Sequence, residues 1–446
     1  MSENVLTTFS WKNSNSWIVL FLYLLLIFST FSISGIVFAS IGLISFSLYR
    51  FSRSKNIDKL PKWIVAPFIL WLGSAILSAL VNPEILRTLD NMRGEYRLLL
   101  PFAMVPALLL IDIRKLLKVF LFFVVLMAIY GVIQYFYGVD WFRSGDDKLI
   151  TPFKRDIAGK TSVFHAKGNF SHHLTYAGFM LINAPLFFSL FIHDLKRTRW
   201  LWAGASVLTL LAVFVSLGRS GWVGVFFGFG ILILMLPRKW AFPLIFVGVF
   251  TFTLFVSLMT SGWLQETFSH PDNPDFIKRI LSTNLSRDKD RLYLWQAGWL
   301  GIQDNPILGV GIGNEDYYFE PYRQIVSKLH GGHTFFTKAS AGVHNMYLQV
   351  GYTMGAIGLA VHLWLFGSVF YWCILWIRKA GKDFSFERGL LWGAIGGLFG
   401  NMIAAIFENN FFDGEVQTMV MIIIGLALYA GMMIRQQARN ITTNGG

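Results

Sequence analysis

Long apolar segments with almost no charge in them dominate this sequence. A helix needs about 20 such residues to cross the roughly 30 Å of hydrocarbon in a bilayer. Because the bilayer interior offers an open backbone no hydrogen-bond partner, segments of this kind must fold as helices. We therefore predict an all-α polytopic membrane protein with about twelve transmembrane helices, at residues 17–31, 34–49, 63–81, 98–111, 115–137, 174–192, 200–217, 221–236, 240–260, 346–377, 389–407 and 415–434.

The composition agrees with a membrane-embedded chain. Of its 446 residues, 54% are hydrophobic and only 14% are charged, which is typical of polytopic membrane proteins. The run at 98–111 is short for a span, so we expect it to tilt or to be supported by neighbours, and the long run at 346–377 is expected to begin with a surface helix. The first run starts late and lacks a small-residue cleavage pattern, so we expect it to remain as a span.

The distribution of basic residues predicts the orientation. Lysine and arginine concentrate in short loops on the side of the termini, such as 50–62, 196–199 and 378–388, whereas the opposite loops are nearly neutral. By the positive-inside rule both termini are expected to be cytoplasmic. The net charge of +13 is then a topology signal that also meets anionic membrane lipids, and we expect no nucleic-acid partner.

Two loops on the outer side are long enough to carry function. The first is 138–173 and the second is 261–345. We predict one integral domain in which residues 1–260 hold the first nine spans, 261–345 form a large loop with catalytic elements, and 346–446 hold the last three spans. The single Cys373 lies within a span, so no disulfide supports these loops.

The large loop contains the signals of an amphipathic helix that starts near Asp288. Asp288 is expected to cap this helix and Asp290 to complement its dipole. Asn305-Pro306 ends it, and the glycine-rich stretch 309–313 permits a close backbone turn. The helical spacing places these residues on one face: Leu294, Trp295, Gly298, Trp299 and Ile302.

Arg219 and Arg291 are the two arginines best placed to bind an anion. Arg219 lies in a glycine-flanked turn between two apolar spans, where a guanidinium suits a lipid-linked phosphate, although an arginine in such a turn can also simply snorkel to the surface. Arg291 in the loop helix offers the same bidentate geometry. Its structural alternative is a solvated charge that pairs with Asp288 or Asp290.

His344 opens the apolar run after the large loop. A histidine titrates near neutral pH, so it suits the role of general base for a sugar hydroxyl. The alternative is a hydrogen-bonded residue at the membrane boundary. Asn345 is expected to orient a glycan or the imidazole. His172-His173 are expected to point apart, and His330 and His333 lack a second ligand cluster, so we predict no metal site.

Several of these segments together resemble the O-antigen ligase and polymerase superfamily. They are the Arg291-x-x-x-Trp295 helix that leads into Asn305-Pro-Ile-Leu-Gly-Val-Gly-Ile-Gly313, the His344-Asn-x-x-Leu348 start of a span, and the Gly168-Asn-Phe segment. Within the superfamily the ligases fit best. The resemblance implies a GT-C-like architecture, an essential histidine at His344, and phosphate-contacting arginines at Arg219 and Arg291.

The resemblance also implies an activity. The expected reaction is metal-independent, inverting glycan transfer, without a cofactor, at the periplasmic face of a Gram-negative inner membrane. The donor would be a polysaccharide on undecaprenyl diphosphate, and the acceptor a sugar of the lipid A core. The candidate substrate-binding residues are Asn345, Arg155, Lys167, Asn169, His172, Tyr293 and Trp295. For the basic loop 138–173 a solvated surface remains the alternative to a funnel for anionic glycolipids.

Other functions remain open at this stage. A polymerase or an O-oligosaccharyltransferase of the same superfamily would share these motifs. A flippase or transporter of lipid-linked glycans would instead place polar groups along a path through both leaflets. The spans contain few ionisable residues, of which His362 is the clearest, and this scarcity disfavours a proton-coupled transporter.

Overall fold

A computed structural model gives the arrangement of the helices. It describes residues 13–53, 60–142, 164–236, 285–335, 342–381 and 385–444, together with Ser10 and a few residues between 239 and 246. These parts of the chain are almost entirely helical, as predicted. The helices are α1 (Ser14–Phe28), α2 (Ile33–Arg53), α3 (Lys62–Val81), α4 (Ile85–Asn91), α5 (Leu100–Leu108), α6 (Ile113–Tyr137), α7 (His173–His193), α8 (Arg199–Val215), α9 (Arg219–Leu232), α10 (Leu285–Asp304), α11 (Glu315–Leu329), α12 (Met346–Lys379), α13 (Ser385–Ala404) and α14 (Gly414–Asn444).

The protein is an all-α polytopic membrane protein. Six of the described helices are long and apolar enough to cross a membrane, and three more apolar helices are shorter. The predicted total of about twelve spans stays a prediction, since the ninth, at 240–260, lies largely outside the described residues. The short fourth run forms only the nine-residue α5, which follows a 3-10 helix at Met92–Leu99.

Glycines set the closest helix contacts, between α9 and α13. A Cβ on Gly224 would lie 2.6 Å from the carbonyl oxygen of Gly400, and one on Gly228 would lie 2.7 Å from that of Gly396. Both helices therefore carry small residues four apart that let their backbones touch, as is common in membrane proteins. The pairing is antiparallel, so the start of α9 lies beside the end of α13.

The long helix α12 is broken at Gly355, whose φ is 68°. The predicted surface helix before the span is instead a largely buried helical segment that ends at this break, with Val350, Tyr352 and Met354 fully buried. The glycine-rich stretch 309–313 packs into the break, and all three of its glycines have positive φ. Gly311 N–H donates to the Thr353 carbonyl (2.8 Å), and Ala356 N–H donates to the Pro306 carbonyl (2.8 Å). Backbone groups freed by the break thus find partners, as burial requires.

The loop helix α10 agrees with the prediction at its end and differs at its start. It ends at Asp304, directly before Asn305-Pro306, but it begins at Leu285. Asp288 therefore lies within the helix, and the prediction that it is the N-cap is wrong. The predicted apolar face is also corrected at Trp299, which is 54% exposed, whereas Leu294 and Ala297 are fully buried.

Candidate functional site

The turn between α8 and α9 presents Arg219 at the first position of α9. Leu217, two residues earlier, is fully buried and has a φ of 58°, a left-handed conformation that is uncommon for a residue with a branched side chain. Gly218 forms the N-cap, and its N–H donates to the Ser216 hydroxyl at 3.2 Å. This strained turn fixes the backbone position from which the Arg219 side chain extends.

Arg291 lies in the second turn of α10 and binds Glu408, which follows α13. The Arg291 Nη2 atom is 2.5 Å from Glu408 Oε1. The Glu408 side chain is only 3% exposed, whereas that of Arg291 is 31% exposed. A buried carboxylate thus holds one side of the guanidinium and leaves another side open to solvent. The alternative pairing of Arg291 with Asp290 is not what the structure shows, because the Asp290 carboxylate contacts His333 at 3.0 Å.

His344 contacts the second oxygen of the same carboxylate. Its Nδ1 lies 3.3 Å from Glu408 Oε2, while its Nε2 is buried and has no hydrogen-bond partner. The residue has a φ of 52°, so its backbone is strained as that of Leu217 is. Trp295 Nε1 donates to the His344 carbonyl at 3.3 Å. Met346 N–H donates to the Ala405 carbonyl at 2.8 Å. This hydrogen bond joins the start of α12 to the end of α13.

Arg219 and Arg291 line one pocket of about 330 Å³, a size at the lower end of the range for small-molecule sites. Apart from Ser220, apolar side chains form the rest of its wall: Val223, Leu292, Trp295 and Phe407. The pocket therefore combines two cations with a mainly apolar wall. This combination suits an amphipathic anion, such as a phosphate attached to a lipid.

The contacts of Glu408 determine what its partners can do. An ionised carboxylate only accepts hydrogen bonds, so a neutral His344 must carry its proton on Nδ1 to bind it. The lone pair is then on Nε2, the nitrogen without a partner. The arrangement resembles the acid–histidine pairs in which a carboxylate fixes the tautomer of a general base. Glu408 also tethers Arg291, so one acid positions both groups.

Three of the predicted substrate-binding residues have a structural role. The Asn345 side chain caps α12 by accepting from the Tyr347 and Leu348 N–H groups at 3.0 and 3.1 Å. Asn169 Nδ2 donates to the Phe31 carbonyl at 2.7 Å. Lys167 Nζ lies 3.6 Å from the buried carboxylate of Asp140. These contacts orient the loop beside the pocket, and substrate contact by these three residues stays a prediction.

The four remaining candidates differ in their position relative to the pocket. Trp295 lines it. Tyr293 instead stacks on His330, with ring centroids 3.9 Å apart. Arg155 lies outside the described residues. His172 is the N-cap of α7, and the charges of Glu408 and His344 both act on its pKa.

The expectation that His172 and His173 point apart is wrong, because their ring centroids are 4.1 Å apart. The two rings are brought together because His172 lies in an extended conformation just before the helix starts at His173. Within the part of the chain that the structure describes, no three His, Cys, Asp or Glu side chains form a group with metal-binding geometry.

Glu408 is the residue that the sequence analysis missed. It lies 117 residues from Arg291 and 64 residues from His344, in a short connection between two spans. Two weak signals were present in the sequence: an acid directly after an apolar segment, and two further acids at 413 and 415. Among the described residues, the two non-glycine residues with positive φ are Leu217 and His344, and strain of this kind clusters at functional sites.

Comparisons with known proteins match the segment that holds these groups. The family model described as O-antigen ligase matches residues 204–363, a range that includes Arg219, Arg291 and His344. Over this segment the chain is thus similar to O-antigen ligases. It is also 28% identical over 169 residues to a protein named O-antigen ligase from Salmonella typhimurium (strain LT2).

The similarity to that O-antigen ligase is partial. The alignment covers 37% of this chain and 38% of the relative, so the chain spans well under half of the curated relative that it matches. The family model ends before Glu408. The family-model match thus lies in the central part of the chain, and the substrates and reaction are matters of proposal.

Proposed function

We propose that the protein transfers a polysaccharide from undecaprenyl diphosphate to a sugar hydroxyl of lipid A-core. The observation that carries this proposal is the convergence of Arg219 and Arg291 on one pocket, with Glu408 joining Arg291 to His344. It is supported by the name of the Salmonella relative. The reaction class is that of a glycosyltransferase, with the site facing the periplasm of a Gram-negative inner membrane.

The two arginines act on the donor. Cleavage of the bond between the sugar and the diphosphate leaves negative charge on a phosphate oxygen, and fixed cations aimed at that charge lower the barrier. Guanidinium groups bind phosphate through two parallel hydrogen bonds. Two such groups can neutralise the departing diphosphate, so the proposed mechanism includes neither a metal ion nor a cofactor. The apolar wall of Val223, Leu292 and Phe407 is the surface proposed for the first isoprene units.

His344 acts on the acceptor. A sugar hydroxyl is a weak nucleophile until a base accepts its proton, and a positioned base contributes roughly 10² to 10⁴-fold. The Nε2 lone pair accepts that proton, the oxygen bonds to the anomeric carbon, and the bond to phosphate breaks with its electron pair on the phosphate oxygen. This single displacement inverts the anomeric carbon. Glu408 stabilises the imidazolium that forms.

Reconstituted transfer is the test. Purified protein in proteoliposomes is supplied with a polyprenyl diphosphate glycan and lipid A-core, with and without a chelator. We expect glycan joined to core lipid at the same rate in both cases. A longer lipid-linked glycan would instead identify a polymerase, and movement of donor across the bilayer without any joined product would identify a flippase.

Variants of single arginines sharpen this test. Arg291→Lys keeps the charge but loses the bidentate geometry, so we expect transfer to fall at least about tenfold while the protein remains folded. Arg93→Lys is a matched control, because the Arg93 side chain is 82% exposed and pairs with Asp90 on the surface. Equal activity of the two variants would contradict the phosphate-binding role of Arg291.

A further inference from the structure

His172 is held beside both halves of the candidate site. On one side its ring contacts His173, whose ring lies 4.5 Å from that of His165. His165 Nδ1 in turn lies 3.4 Å from the carbonyl oxygen of Ser216, in the turn that presents Arg219. A row of three imidazoles thus leads from the start of α7 to the Arg219 turn.

On the other side, the first turn of α7 is bonded to the segment that follows Glu408. Asn410 Nδ2 donates to the Leu174 carbonyl at 3.1 Å, and the Thr175 hydroxyl donates to Asp413 Oδ2 at 2.7 Å. The His172 side chain itself is exposed to solvent. The N-terminal turn of α7 is thus fixed against both the Arg219 turn and the Glu408 connection, with an accessible imidazole between them.

The hydrogen bond at the helix cap decides which nitrogen of His172 carries the proton. The Leu174 N–H donates to His172 Nδ1 at 3.2 Å, so Nδ1 is an acceptor. A neutral imidazole with an accepting Nδ1 has its hydrogen on Nε2. Although His172 remains exposed at the surface, the groups around its ring desolvate it in part and so lower its pKa. The charge of Glu408 raises that pKa, and His344 and Lys167 lower it. In its neutral form the ring is thus a donor at Nε2.

His344 has the opposite tautomer, with its proton on Nδ1 toward Glu408 and its lone pair on Nε2. We propose that the two histidines divide the chemistry, with His172 donating from Nε2–H to the departing phosphate oxygen of the donor and His344 accepting the proton of the acceptor hydroxyl. The His172 proton stays on its nitrogen, and the acceptor proton moves to His344. This inference rests on the proposed function.

Two substitutions separate donation by His172 from its role as a helix cap. Serine at this position still accepts the Leu174 N–H, as good N-cap residues do, but has no donor at the Nε2 position. Glutamine places an amide N–H near that position and is a poorer cap. We expect His172→Ser to lower kcat about 10- to 100-fold and to weaken the binding of undecaprenyl diphosphate about tenfold. His172→Gln should retain most of both.

His193→Ser is the control, since His193 is the last residue of the same helix, about 30 Å away, where its Nδ1 contacts the Ser189 carbonyl at 3.0 Å. We expect it to leave transfer and binding unchanged. The opposite result would show that His172 only caps the helix: the serine variant would keep its activity, and the glutamine variant would lose both activity and thermal stability. Because lipid diphosphate binding is measured without acceptor, absence of transfer by the wild-type protein would overturn the proposed function separately.

Discussion

Replacing Glu408 by glutamine should disable the site while keeping its shape. The carboxylate is almost fully buried and bonds to both Arg291 and His344. Glutamine has the same size but offers one carbonyl oxygen and one amide N–H₂ group. If the oxygen binds Arg291, the amide faces His344 Nδ1 and forces that nitrogen to accept. The His344 proton then moves to Nε2, and the lone pair needed for proton abstraction is lost.

The magnitude follows from the two contacts. Hydrogen bonds to charged groups contribute about 1.5–3 kcal/mol each. The contact to His344 is long, at 3.3 Å, and Arg291 is partly solvated, so the lower end of that range applies to both. Their combined loss is about 3 kcal/mol, which corresponds to about a 100-fold decrease in kcat.

The assay is single-turnover transfer in proteoliposomes, with donor binding measured in parallel. We expect kcat to fall about 100-fold, donor affinity to change much less, and Glu408→Asp to restore part of the rate. Glu320→Gln is the control, because Glu320 is an exposed carboxylate that pairs with Arg323. Wild-type transfer by Glu408→Gln, or an equal loss in Glu320→Gln, would refute the positioning role of this acid.

Three further predictions concern the scaffold around the site. Burial and the nearby Glu415 and Glu408 raise the pKa of Asp413 to about 6, above its value of about 4 in the unfolded chain. Asp413 therefore favours the folded state most below about pH 4. As the pH rises to about 6, ionisation of this carboxyl lowers the free energy of unfolding by at most about 3 kcal/mol. Asp413→Asn should remove this dependence in thermal unfolding and raise the midpoint at pH 7, and an unchanged pH profile would contradict the shift. Gly400→Leu should separate α9 from α13 and lower both the thermal midpoint and the transfer rate, because a Cβ at this position would lie 2.6 Å from the Gly224 carbonyl oxygen. Gly204→Leu is the control and should lower neither, because a Cβ on Gly204 would have no neighbouring atom within 4 Å. Gly355→Ala should reduce stability by about 1–3 kcal/mol, since a Cβ would lie 2.1 Å from the Ile307 carbonyl oxygen, and Gly367→Ala on the same helix, which has open space, serves as its control.

The sequence predicted the helices far better than it predicted their contacts. The ends of α3, α6 and α7 fall within two residues of the predicted spans, because apolar length and flanking charge fix where a helix enters and leaves a bilayer. The break at Gly355 was not predicted, since it depends on a loop some 45 residues earlier that supplies the missing hydrogen bonds.

For the candidate site, too, the sequence predicted the residues better than their contacts. The sequence singled out Arg219 and His344 by residue type and by their position at the ends of apolar segments, and Arg291 by its position in the predicted loop helix. It did not indicate Glu408, because the partners of that acid lie 117 and 64 residues away in the sequence, on α10 and just before α12. The tautomer of His344 likewise depends on its contact with Glu408, 64 residues away, which no local pattern encodes.

The central claim is that Arg291 and His344 belong to one catalytic unit joined by Glu408, and a double-mutant cycle tests it most directly. Single-turnover transfer is measured for Arg291→Gln, His344→Gln and the double variant. Groups that act as a unit are strongly non-additive, so we expect the double variant to be within about threefold of the slower single variant. Independent losses that multiply in the double variant would contradict the account.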